Sequence, residues 1–282
     1  AELFLAMLEY SERAGITPYP EQERAFEALA EDKHVVLATP TGSGKSLVAL
    51  AAHFFGYWRG HRAPPGAIPD HRRRSVYTAP TKALVNEKFF NLCDAFGPDH
   101  VGLMTGDSTV NPAAPIICCT AEILESMALR QGVTTPFGWV VMDEFHYYAD
   151  PQRGTAWLIP LVEMTDARFL LMSATLRDPQ AVCDDLQRRT GTPAVLVSST
   201  TRPVPLEFEY RENLLLETLA DVRRKSLTPA YVVSFTKRDA ASLAEQIRKT
   251  PFEDGSREDD RERAALIEER IAGERFDTPF GQ

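Results

Sequence analysis

The sequence predicts an α/β fold built on a doubly wound parallel sheet, and three observations carry that expectation. Short apolar runs recur without the alternation of a half-buried strand. Stretches of helical periodicity lie between them, and the residues with chemistry to offer collect just past the carboxyl ends of the runs. Parallel strands covered on both faces read as continuous apolar segments, and the crossovers between them supply the covering helices.

Taken in chain order, the opening AELFLAMLEY reads as an amphipathic helix. It carries Glu2 and Glu9 but no basic leader and no small-residue cleavage site, so it is not a signal peptide. The chain starts at Ala1 without Met, as a piece of something longer would. Strands are expected at 34–38, 75–79, 101–104, 116–120, 139–142, 169–172 and 194–197, with covering helices such as 46–58 and 81–95. In such sheets ligands bind at the carboxyl edge. The hydroxyl- and proline-rich SSTTRPVP breaks the pattern, placing a linker at 199–205 after a first domain of residues 1–198. Beyond it come a strand candidate at 206–210, a helix at 212–225, a strand at 230–235 and a helix at 237–249, the beginning of a second α/β unit within 206–282. Residues 252–282 hold ten acids against five arginines, which predicts a solvated helix with mobile ends.

At 282 residues and 44% hydrophobic, the chain can fill one large core and part of a second. No apolar run approaches the roughly 18 residues needed to span a bilayer. Cys93, Cys118, Cys119 and Cys183 show no CxxC spacing, and the adjacent pair sits in a strand that points the two side chains to opposite faces. A reduced, cytoplasmic compartment is the expectation. The net charge of −9 offers no global attraction to a polyanion, so any nucleic-acid binding must be local.

ATPTGSGKS (38–46) joins a strand to a helix and ends in the Gly-Lys-Ser of a phosphate-binding loop. Gly42 and Gly44 let backbone N–H groups turn inward around phosphate oxygens. Lys45 reaches the β and γ phosphates, Ser46 ligates Mg²⁺, and the helix N-terminus adds its dipole. The nucleotide-holding set is Thr41, Gly42, Ser43, Gly44, Lys45 and Ser46. Thr39 stands where the usual pattern begins with Gly. VVMDEFHYY places Asp143 and Glu144 at the end of an apolar strand, where two acids are costly to desolvate without a cation or proton partner. Alone, they are a cap or a salt bridge. After a phosphate loop, they read as a site for Mg²⁺-nucleotide: Asp143 holds the metal through water, and Glu144 orients or deprotonates the water that attacks the γ phosphate. Ser173-Ala174-Thr175, at a third strand end, is a turn if taken by itself.

In this order, ATPTGSGKS, DEFH and SAT make the chain resemble superfamily-two helicases of the DExH-box class. DEFHYYADPQRGTAW, with Arg153-Gly154 and Trp157, and the later RPVPLEF are most similar to the superkiller-like branch, whose members are mainly RNA helicases. The resemblance covers residues 15–250 and implies a RecA-like first motor domain followed by the start of a second. It assigns Gln22, 23 residues before Lys45, to adenine. It gives His146, Ser173 and Thr175 to coupling, and Pro80, Thr81, Lys82, Gly106, Asp107, Thr120 and Glu122 to nucleic acid. ATP and Mg²⁺ follow as ligands, and single-stranded or duplex nucleic acid as partner, RNA favoured over DNA.

SFTKRDAASLAEQI (234–247) is similar to the family's fourth motif, and no later segment resembles the arginine-finger motif. The expectation is a truncated helicase that binds nucleotide and hydrolyses it poorly by itself. Two rivals stand beside it. A small-molecule phosphate-loop kinase leaves SAT and TAPTKAL unexplained, and a non-catalytic nucleic-acid-binding module has no need of intact Lys45, Asp143 and Glu144. His71 to Arg74 either touch phosphates or form a solvated loop. Tyr147, Tyr148 and Trp157 are expected to pack under the sheet rather than stack on bases, and no zinc site is expected.

Overall fold

The computed structural model describes residues 2–62, 74–202, 205–250, 265–270 and 272. The chain divides into two units, Ala1–Pro205 and Leu206–Gln282. The first is an eight-stranded sheet in the order β4-β3-β5-β2-β6-β7-β1-β8. Its strands are β1 (His34–Ala38), β2 (Arg74–Ala79), β3 (Val101–Met104), β4 (Thr109–Val110), β5 (Ile116–Thr120), β6 (Phe137–Met142), β7 (Arg168–Ser173) and β8 (Ala194–Ser198). All pairings are parallel except that of the short edge strand β4 with β3. The parallel sheet read from the sequence is thus a mixed one with an antiparallel edge.

Helices cover both faces, as crossovers between parallel strands require. On one side lie α1 (Glu2–Arg13), α2 (Pro20–Ala30), α3 (Lys45–Arg62) and α4 (Lys82–Phe96). On the other lie α5 (Ala121–Gln131), α6 (Thr155–Glu163) and α7 (Pro179–Thr190). The seven parallel strands feed both cores by their two-residue period. Val35, Leu37, Tyr77 and Cys118 join Phe26, Phe55 and Leu92 on the first face. Val36, Val76 and Cys119 join Leu124, Trp157 and Leu186 on the second. Cys118 and Cys119 do point to opposite faces. Full burial of each large apolar side chain stabilises by about 1.5–3 kcal/mol. At the amino-terminal edge, Arg59 Nη1 donates to Asp32 Oδ1 at 2.7 Å and Arg168 Nε donates to Asp32 Oδ2 at 3.1 Å. One carboxylate thus ties α3 to β7.

Two buried histidines make this unit acid-sensitive. His34 Nδ1 accepts the Phe169 N–H at 3.0 Å, and its Nε2 lies 2.8 Å from Thr190 Oγ1, whose proton goes to Leu186 O. Protonating Nδ1 would set one N–H against another. Burial, aided by the Arg168 charge, pushes the His34 pKa from 6.5 down to about 3. Burial, aided by Lys88, does the same to His53. The unfolded chain takes up these protons as pH falls below 6.5, while the folded chain refuses them until near 3. Stability is therefore complete above that window and lost on descending through it, by about 1.4 kcal/mol per pH unit for each histidine. Urea midpoints measured at pH 7.5 and 5.0 should show a clear drop at the lower pH; a flat profile would contradict the neutral-histidine assignment.

The second unit contains α8 (Leu215–Arg224) and α9 (Lys237–Lys249). The stretches expected as strands, 206–210 and 230–235, are not strands. Neither has a ladder partner among the described residues, and Phe208 and Tyr231 stand 90% and 92% exposed. Apolar composition alone does not make a strand when no neighbour supplies the hydrogen bonds. Near the C-terminus, residues 265–270 are helical; the rest of the acidic stretch from 252 lies outside the described residues, except Ala272.

Candidate nucleotide and nucleic-acid site

The carboxyl edge of the sheet divides into two halves by strand order. β6, β7 and β1 are neighbours, and their ends carry Asp143-Glu144, Ser173–Thr175 and the phosphate loop. β3, β5 and β2 are neighbours too, and their ends carry Gly106-Asp107, Thr120–Glu122 and Pro80–Lys82. The two halves meet where β2 pairs with β6, and the ladder continues one step beyond the strands through Asp143 N–H to Thr78 O at 2.9 Å.

The loop between β1 and α3 turns through Gly42 at φ +85° and Gly44 at φ +72°, conformations that side chains with a Cβ resist. A Cβ on Gly44 would also lie 2.4 Å from the Gln22 amide nitrogen. Thr39 replaces the usual glycine without penalty, because its buried hydroxyl pairs with Ser43 Oγ at 2.7 Å. Lys45 Nζ folds back onto Thr39 O and Pro40 O, at 3.0 and 3.1 Å. Burial lowers its pKa, while the charges of Glu144 and Asp143 pull it back up, so ammonium and carboxylates face the same space.

Gln22 spans helix and loop. Its Oε1 accepts the Tyr19 N–H at 2.8 Å, closing the N-terminus of α2, and its Nε2 donates to Gly44 O at 2.9 Å and Ser43 O at 3.2 Å. A cavity of about 500 Å³ opens beside this contact, lined by Ile16, Tyr19, Gln22, Gly44, Ser46 and Leu50 among others.

At the end of β6, Asp143 Oδ2 accepts the Tyr77 hydroxyl at 2.5 Å and Oδ1 accepts the Glu144 N–H at 2.9 Å. Burial first, then the Asp143 charge, pushes the Tyr77 pKa well up, so the phenol stays a donor. Glu144 holds a left-handed conformation, φ 50° and ψ 44°, which is uncommon without glycine and occurs at sites where geometry is imposed. His146 Nδ1 lies 3.2 Å from Ser173 Oγ and 3.3 Å from Glu144 Oε2, and Ser173 Oγ accepts the Thr175 N–H at 3.1 Å. The DEFH turn and the SAT segment are therefore in direct contact, joined at His146.

Three functional neighbours escaped the sequence reading. Tyr77 supplies the proton partner that Asp143 needed. Lys88 donates to Ser46 Oγ at 2.9 Å and lies over the Tyr77 ring at 5.5 Å. It stands on the buried stripe of α4 with Val85 and Leu92, and a lysine at that helical spacing was the available signal. Arg153, noticed only as a family mark, donates to Glu122 and to Pro80 O. Ser46 and Asp143 offer a hydroxyl and a carboxylate, the hard oxygen donors that suit Mg²⁺ when phosphates and water complete its shell.

Among the nucleic-acid candidates, Thr81 caps α4 by accepting the Leu84 N–H at 3.3 Å, and Lys82 pairs with Asp107. Glu122 is engaged by Arg153; burial opposes ionisation of its carboxyl, but the Arg153 hydrogen bond and charge outweigh it and lower the pKa. Arg74 donates to Ala114 O at 2.9 Å and Pro112 O at 2.5 Å, which ties it to a loop; His71 to Arg73 lie outside the described residues. Trp157 is fully buried and stacks on Tyr147 at 5.4 Å, and Tyr148 stacks on Phe145 at 5.2 Å. These rings pack beneath the sheet edge.

Comparison with known proteins agrees with this geometry. Residues 19–182 match the DEAD/DEAH box helicase family. The chain is 36% identical over 208 residues to the DExH-box ATP-dependent RNA helicase DExH15, chloroplastic, of Arabidopsis thaliana, covering 71% of this chain and 17% of that protein. It is 35% identical over 188 residues to human Superkiller complex protein 2, covering 66% of this chain and 14% of that protein. The chain thus spans about one-sixth of the length of these relatives. In fold it is similar to the DUF1998 helicase MrfA, solved bound to DNA, with a TM-score of 0.54 at 22% identity over 80% of this chain and 35% of that one. A RecA-like sheet with the phosphate loop, DEFH and SAT at adjoining strand ends, matched over more than half its length by the family's sequence pattern, puts the chain in the DEAD/DEAH box helicase family.

Proposed function

We propose that this chain is the nucleotide-binding part of an ATP-dependent helicase or translocase that acts on RNA in preference to DNA. One observation carries the proposal: a single sheet edge holds the phosphate loop, Asp143-Glu144 and Ser173–Thr175 on one half, and the Pro80, Gly106 and Thr120 segments on the adjoining half. Nucleotide phosphates lie against the loop N–H groups and Lys45, with Gln22 against the adenine. Ser46 and Asp143 would hold Mg²⁺, which when bound would neutralise charge on the phosphates. Glu144 orients or takes the proton of the attacking water. His146, Ser173 and Thr175 carry the state of the nucleotide site onward. Pro80–Lys82, Gly106-Asp107 and Thr120–Glu122 meet the strand through backbone N–H groups and hydroxyls.

RNA is favoured because the Arabidopsis thaliana relative, at 36% identity, is an RNA helicase by name. DNA stays the alternative, since backbone contacts are shared by both polymers. The segment from Leu206 is proposed as the start of a second motor domain. Cys93, Cys118, Cys119 and Cys183 are free, which fits the proposed cytoplasmic setting. Among the described residues no helix is long and apolar enough to cross a membrane.

The test is ATP turnover by the full-length protein, without nucleic acid and with single-stranded RNA or DNA of equal length. Stimulation by RNA above DNA is expected and should weaken with salt. Turnover that ignores both polymers, or transfers phosphate to a small acceptor, would sink the proposal.

A further inference from the structure

One side chain touches both nucleic-acid segments nearest the nucleotide half. Arg153 follows the DEFH turn, and its position is fixed by its own backbone. Asp150 Oδ1 accepts the N–H groups of Gln152 and Arg153 at 2.8 and 2.9 Å. Gly154 then donates its N–H to Asp150 O at 2.9 Å, and a Cβ there would lie 2.4 Å from Tyr148 O, so the turn admits only glycine. From this anchor the guanidinium reaches back to the sheet edge. Its Nη2 donates to Pro80 O at 2.7 Å and to Glu122 Oε1 at 2.5 Å, and Nε donates to the same carboxylate oxygen at 2.9 Å. Its Cζ lies over the Tyr147 and Trp157 rings, 5.9 and 5.8 Å from their centroids. Tyr147 in turn packs on His146 at 5.0 Å, and His146 meets Glu144 and Ser173.

We infer that Arg153 is a positioning residue that transmits nucleic-acid binding at the Pro80 and Glu122 segments to the DEFH turn, a role that rests on the nucleic-acid-dependent ATPase reading above. A strand backbone docking at the ends of β2 and β5 shifts Pro80 and Glu122. Both are fastened to a guanidinium in a fork that Lys cannot reproduce, and the same group packs on the turn that sets His146. Glu122 thereby acts as the anchor of Arg153, its carboxylate neutralised by the guanidinium.

Being interposed does not by itself establish coupling, so the readout is the linkage between ligands. In the full-length protein, the Kd of fluorescein-labelled single-stranded RNA is measured with and without Mg²⁺ and a non-hydrolysable ATP analogue. The Kd of the analogue is measured with and without RNA. Wild type should show reciprocal tightening, of roughly 5- to 150-fold. Arg153→Ala should keep each separate Kd within about twofold while the coupling factor falls to about one, the loss expected when a link carrying most of that linkage is cut. Arg153→Lys, which retains the charge and much of the stem, should also lose most of the coupling, and it decides the matter if the alanine variant fails to fold. Wild-type coupling in both folded variants, even with a lowered melting temperature, would make Arg153 merely structural and overturn the inference. So would a variant that loses RNA affinity with its coupling intact. If wild type itself shows no coupling, the failure lies instead with the ATPase reading.

Discussion

Glu144→Gln in the full-length protein is expected to bind ATP and ADP with affinities close to wild type while kcat falls by about 10² to 10⁴, the usual weight of a positioned general base. The two side chains have nearly the same shape, and glutamine can keep a polar contact with His146 across the present 3.3 Å. What it cannot do is take a proton. Glu144 is presented by a left-handed backbone at the end of β6, so its aim is set by the strand and by the hydrogen bonds that fix Asp143 beside it. Single-turnover hydrolysis beside a fluorescent-nucleotide titration separates chemistry from binding. Near-normal turnover would remove Glu144 from the reaction, and a parallel loss of nucleotide affinity would show that its charge serves binding instead.

How much of this was legible in the sequence depends on whether the signal is contiguous. The seven parallel strands announce themselves because each is a short, mainly apolar run. β4 does not, since Thr109 and Val110 are exposed and pair only at the edge. The phosphate loop, DEFH and SAT are short words with the right elements around them. Tyr77 and Asp143 are 66 residues apart, and nothing local in VYTAP says that its tyrosine will face an acid. Only the β2–β6 pairing brings them together. Lys88 was hidden differently: helical periodicity places it in the buried stripe, but its partner is a serine on another helix. Glu122 is legible as part of its segment, but its partner is not, since the Arg153 guanidinium that meets its carboxylate lies 31 residues further along the chain. The strand readings at 206–210 and 230–235 failed for the complementary reason: composition reports what a segment can bury, not whether a partner strand lies beside it.

Lys45→Ala should weaken ADP binding by about 10- to 100-fold, the equivalent of a charge-assisted contact of roughly 1.5–3 kcal/mol. The ammonium now bridges Thr39 O and Pro40 O, so it does not dangle in solvent but already sits over the loop, preorganised by the carbonyls that precede the glycine turns. Because burial penalises this charge and the charges of Glu144 and Asp143 offset that only in part, an arriving phosphate adds a stronger partner than either carbonyl. The alanine variant loses that contact and removes the lysine donor from Thr39 O and Pro40 O, of which Pro40 O keeps the Ser43 N–H at 3.3 Å. Some loosening of the loop is expected too, but the fold should survive, since the half-buried lysine contributes little to either core. A titration with fluorescent ADP, read beside the melting temperature, distinguishes the two effects. Lower affinity with a melting temperature within a few degrees of wild type supports direct phosphate contact. Unchanged affinity would mean that the backbone N–H groups and the α3 dipole hold the phosphates unaided, and the role given to Lys45 would have to be withdrawn.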